Sequence, residues 1–176
     1  LGVVCTDAVV APSALQRLLH AACDTSFNAI SVDGDTSTND ALIALASGAT
    51  GCGVESPEAW RVFSAAVTEV LTTLARAVAA DGEGATRLLE VEVRGTRDDA
   101  TARAIARTVC RSSLFKSSVF AGDPAWGRLA AAVGQACLER PGHDAREATQ
   151  ATQVPFDAAA LRIEAQGILV YEHGAP

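Results

Sequence analysis

Two stretches of this sequence gather side chains able to do chemistry. The denser is Asp33-Gly34-Asp35-Thr36-Ser37-Thr38-Asn39-Asp40, with three acids in eight residues. Acids at that density could hold a divalent cation. A calcium loop, however, also needs Glu at its twelfth position, and the twelfth residue from Asp33 is Ala44. No metal is expected there, because short polar side chains bonding to nearby backbone groups account for the cluster. The second stretch is Asp81-Gly82-Glu83-Gly84-Ala85-Thr86, which sets an acid between two glycines. Glycines permit tight turns and close approach of a ligand. A carboxylate displayed at Glu83 could bind an ammonium group or orient a nucleophile. The plainer alternative is a connecting turn with an exposed acid, and both stay open on these grounds. The stretch is not a phosphate-binding loop, since it lacks the Gly-Lys-Ser/Thr ending and leads into a strand-like segment.

The remaining reactive types are scattered. His20, His143 and His173 show no metal spacing and no Ser or Asp partners in a recognisable order, so no Ser–His–Asp triad is named. The five cysteines, Cys5, Cys23, Cys52, Cys110 and Cys137, make no Cys-x-x-Cys pair. Their odd number, and the place of Cys23 and Cys137 on apolar helical stripes, suit reduced core thiols in a cytoplasmic protein.

The elements that would carry these residues follow from hydrophobic period. Gly2 to Cys5 is short and apolar and reads as a buried strand. Pro12 suits a first helical turn, and Leu15, Leu18, Leu19, Ala22 and Cys23 trace one face of the helix after it. Ala29 to Val32 reads as a strand and Asp33 to Asp40 as a loop or bulged turn, while the ALIALAS segment from Ala41 suits strand or helix by periodicity alone, with strand preferred. Ser56-Pro57-Glu58 starts a long helix whose Trp60, Phe63, Val67, Val70, Leu74 and Val78 repeat at heptad-like spacing up to Asp81-Gly82. Leu89, Val91 and Val93 alternate with Glu90, Glu92 and Arg94, the pattern of a strand with one wet face. A helix is expected from Asp98, burying Ala102, Ile105 and Val109; a strand over SSLFKSSVF from Ser112; and a helix from Asp123-Pro124 carrying Trp126, Leu129, Ala130, Val133 and Cys137. Residues 141–153 are polar and turn-rich, a surface connection, and strands around LRIEA and ILVYE close the chain about Gly167. Strands and helices mixed in this order predict one α+β domain over 1–176, sheets layered under helices.

Composition sets the outer bounds. The 176 residues are enough for one sizeable core, and 49% hydrophobic against 20% charged residues is globular. A net charge of −7 without a basic run argues against a nucleic-acid partner. No apolar run approaches the ~20 residues of a bilayer span, and there is no basic start of a signal peptide, so no membrane partner is expected. The chain opens at Leu1 without Met, as a processed or trimmed chain would.

Several segments together resemble one family, ornithine acetyltransferase, also called glutamate N-acetyltransferase. They are CTDA at Cys5 to Ala8, SFNAISVDGDTSTND at Ser26 to Asp40, DGEGATRLLEVEV at Asp81 to Val93, SSLFKSSVFAGDPAWGR at Ser112 to Arg128, AAVGQA at Ala131 to Ala136 and ILVYEHGAP at Ile168 to Pro176. They lie in order along nearly the whole chain. The resemblance implies the layered αββα sandwich of N-terminal-nucleophile hydrolases, and a precursor that cuts itself before a threonine into associated α and β chains. The new N-terminal Thr is nucleophile and free amine at once. It takes acetyl from N-acetylornithine and passes it to glutamate, with no cofactor, inside an oxyanion pocket built by the α chain.

By this resemblance the chain is the β-chain portion, with its nucleophile two positions before Leu1, so no catalytic residue falls within it. Thr6 matches the internal TDA threonine instead. The family continues past the GAP at Gly174 to Pro176, to a substrate-contacting Asn and Thr. The one site residue carried over is Glu83, the acid of the DGEGAT motif, with the role of contacting the amino-acid substrate. The implied partner is the α chain of the same precursor, in an α2β2 heterotetramer in the cytoplasm. Ala125 stands where Asn is common in the family. With the Ala/Arg-rich, Met-free composition, it points to a divergent paralogue of a high-GC bacterium, of the kind that serves antibiotic pathways. Two other readings compete: an amidase or aminopeptidase of the same self-cleaving fold, and a scaffold domain without catalysis.

Overall fold

The structure, a computed structural model, describes residues 1–123, 125–138 and 157–175. Residues 141–153, expected as a surface connection, lie outside these, as do His143 and Pro124. The elements are α+β, and the chain divides into two compact units, Leu1–Ala85 and Thr86–Pro176.

In the first unit, β1 (Gly2–Thr6) pairs in parallel with β2 (Leu42–Ala46), Gly2 opposite Leu42 and Thr6 opposite Ala46. Parallel strands need a long crossover, and helix α1 (Pro12–Asp24) lies in it. Leu18 and Ala22 of α1 are buried, with Leu15, Leu19 and Cys23 half-buried beside them, so the expected face is the one used. The strands bury less than expected: their residues alternate between half-buried and exposed, leaving Val3, Ile43 and Leu45 in the open. Ala29 to Val32 is not a strand. A 3₁₀ turn, Phe27–Ala29, stands there, after Ser26, whose buried hydroxyl donates to the Ala22 carbonyl (2.6 Å) and closes the end of α1.

Helix α2 (Pro57–Ala80) begins as its sequence dictates. Pro57 occupies the first turn, and the Ser56 hydroxyl accepts from the Ala59 N–H at 3.1 Å. Trp60, Phe63 and Val67 are half-buried, the two rings 6.2 Å apart, but the stripe then departs from the expected one. Leu71 and Ala75 are buried, whereas Val70, Leu74 and Val78 are exposed. The expectation followed a 3.5-residue repeat. The buried line instead runs one residue on in the second half of the helix, through Leu71 and Ala75. Apolar residues therefore occupy both faces, and α2 is long and apolar enough to cross a membrane by length and composition, with a mean hydropathy of 1.4 over 18 residues. That corrects the expectation that no segment approaches a span.

The second unit is built on α3 (Asp99–Arg111), α4 (Ser113–Ala121) and α5 (Trp126–Leu138), with Ile105, Val109, Phe115, Ala132, Val133 and Cys137 as its core. The Asp98 carboxylate accepts from the Thr101 N–H at 2.8 Å and caps α3. The expected strand over SSLFKSSVF is helix α4. The Ser112 hydroxyl caps it through the Phe115 N–H, Phe115 and Val119 turn one face inward, and Gly122 ends it at φ +81. Leu89, Val91 and Val93 do pack against the core while Glu90, Glu92 and Arg94 face out, but the segment has no ladder partner among the described residues. Strands β3 (Arg162–Ala165) and β4 (Ile168–Glu172) form the expected hairpin, antiparallel, with Gln166 and Gly167 both at positive φ as a two-residue turn requires.

Candidate functional site

Glu83 stands where α2 ends. The Asp81 N–H still donates to the Ala77 carbonyl at 3.0 Å, and the chain then turns on itself, the Ala85 N–H donating to the Gly82 carbonyl at 2.8 Å. Glu83 is thus the second residue of a hydrogen-bonded turn whose third, Gly84, has φ +71. A side chain is strained in that conformation, which is why the second glycine of the motif is needed. The turn exposes the Glu83 side chain, and no hydrogen bond or ion pair engages its carboxylate within the unit. The last carbonyls of a helix carry roughly half a negative charge. With Asp81 and Glu83 added, this end of α2 is a negative locus that suits an ammonium group.

The Asp33–Asp40 stretch begins next to this turn. A Cβ placed on Gly82 would lie 3.4 Å from Cγ1 of Val32, the residue before Asp33. The Ser26–Asp40 motif therefore runs beside the Glu83 turn, a proximity no spacing rule reveals across some fifty residues of chain. Within that motif the polar side chains bond locally. Asp33 accepts from the Asp35 N–H at 2.8 Å, and the Ser37 hydroxyl accepts from the N–H groups of Asn39 and Asp40 at 3.3 and 3.1 Å. A hydrogen bond with the Ser37 side chain holds the Asp40 carboxyl below its ordinary value. Among the described residues no three His, Cys, Asp or Glu side chains gather closely enough to hold a metal.

His20 is exposed on α1, and His173 is exposed with Nδ1 3.3 Å from the Ala159 carbonyl and Nε2 3.8 Å from Glu172. All five cysteines are free; Cys137 is buried and Cys23 and Cys110 half-buried, but Cys5 and Cys52 are exposed, which corrects their reading as core thiols. Burial pushes the Cys23, Cys110 and Cys137 thiols up, away from the reactive thiolate. In the DPAWGR motif the Asp123 carboxylate accepts from the Ala125 N–H at 2.8 Å, Trp126 opens α5, and its ring stacks on Tyr171 at 5.0 Å. Capping and packing are that motif's work. Ala125 sits at φ +43, a conformation that Asn tolerates better than Ala does.

An α+β chain with these motifs in these places has the fold class of the N-terminal-nucleophile enzymes. The ArgJ family matches it over residues 1–176. The arginine biosynthesis bifunctional protein ArgJ of Thermosynechococcus vestitus is 46% identical over 178 residues, covering 100% of this chain and 39% of that protein. That of a Synechococcus species is 53% identical over 141 residues, 79% of this chain and 34% of that one. The crystal structure of arginine biosynthesis bifunctional protein ArgJ from Bacillus halodurans superposes with a TM-score of 0.74 at 40% identity, covering 77% of this chain and 64% of that one. This chain belongs to the ArgJ family, the family its motifs resemble. It spans well under half the length of these curated relatives, 39% and 34% of the two named.

Proposed function

We propose that residues 1–176 are one β-chain portion of a self-cleaving glutamate N-acetyltransferase, in which Glu83 contacts the amino-acid substrate. The observation that carries this reading is the placement of Glu83. In a chain of the ArgJ family, it tops a tight turn at the negative end of α2, exposed and without a partner in its unit. The relatives' common name, arginine biosynthesis bifunctional protein, supports the same chemistry. The nucleophile is the threonine that the resemblance aligns two positions before Leu1. Its hydroxyl attacks the acetyl carbonyl of N-acetylornithine while its own amine accepts the proton. The tetrahedral intermediate collapses, ornithine leaves with a proton on its amine, and the acetyl group remains as an ester on threonine. The amine of glutamate then attacks that ester and regenerates the hydroxyl. The α chain of the same precursor completes the oxyanion pocket, in an α2β2 assembly in the cytoplasm, and no cofactor takes part.

The test is made on the full precursor. Intact mass and N-terminal sequencing after purification should show two chains, the second opening on threonine. Incubation with labelled N-acetylornithine should place the label on glutamate. Label released as acetate instead would favour the amidase reading, and an uncleaved, inactive precursor would favour a scaffold.

A further inference from the structure

We draw no further inference here: the strongest candidate, the exposed apolar row Val62, Val70, Leu74 and Val78 along helix α2, carries nothing because nothing in the structure shows what covers it.

Discussion

Replacing Glu83 by Gln keeps the side chain's size and hydrogen-bonding reach but removes its charge. The turn should tolerate the change: Glu83 is exposed, engages no partner in its unit, and the left-handed conformation falls on Gly84 rather than on it. Surface substitutions of this kind stay within about 0.5 kcal/mol in stability. If Glu83 holds the substrate's ammonium group, the loss is that of a charge-assisted hydrogen bond, about 1.5–3 kcal/mol, or roughly 10- to 150-fold in the transfer rate constant. Self-cleavage should survive, because it needs the threonine and its oxyanion pocket rather than the substrate's charges. The assay uses the full precursor: chain cleavage on a gel, a thermal melt, then acetyl transfer from N-acetylornithine to glutamate. Unchanged transfer would reduce Glu83 to an ordinary turn residue. Lost cleavage would mean that it shapes the site rather than binding substrate, and the assigned role would be wrong.

Three further outcomes test the packing around the site, each by melts of the full protein. Leu71→Ala should cost about 2–5 kcal/mol, because Leu71 is 0% exposed, while Leu74→Ala, at 40% exposure, should cost much less; equal losses would restore the heptad stripe. Ala125→Asn should raise the melting temperature by the equivalent of about 0.5–1 kcal/mol, since Asn accommodates φ +43 more readily than Ala; a fall would refute strain at that position. The Asp98 carboxyl is held below its ordinary value of 3.8, first by the Thr101 N–H, so its folded pKa is the lower of the two. Its contribution to stability is then complete above the ordinary value and disappears as pH falls through the lowered one. Asp98→Asn should flatten the acid limb of the melting curve while leaving a capping oxygen in place, and an unchanged acid limb would count against this.

Helix positions were legible wherever a cap and a period agreed. Ser56-Pro57 and Asp98 mark starts by chemistry that acts within three residues, and the side-chain bonds to Ala59 and Thr101 are those local rules at work. The closing hairpin was legible for a similar reason, two short apolar runs about Gly167, whereas ALIALAS suits strand or helix by period and its pairing with β1 makes it a strand. Errors came where one local pattern supports two structures. Ser112 to Phe120 holds apolar residues that suit a strand face, yet Phe115 and Val119 are also four apart, and the packing against α3 and α5 selects the helix. Leu89 to Val93 alternates as a strand does because alternation records which side is buried, whereas the ladder needs a partner that pattern does not specify.

The Glu83 site divides the same way. Its two glycines announce a turn, and Gly84 at φ +71 bears that out. Its other properties depend on longer range: the carbonyl end of a 24-residue helix beneath it, and Val32 against Gly82, which brings the start of the Asp33–Asp40 loop alongside. A sequence reading can therefore choose the carboxylate, but what makes that carboxylate suited to an ammonium ion is the field it shares with the end of α2 and Asp81. That field predicts a dependence on charge rather than shape, so among substitutions at position 83 Asp should retain more transfer than Gln, despite the shorter side chain.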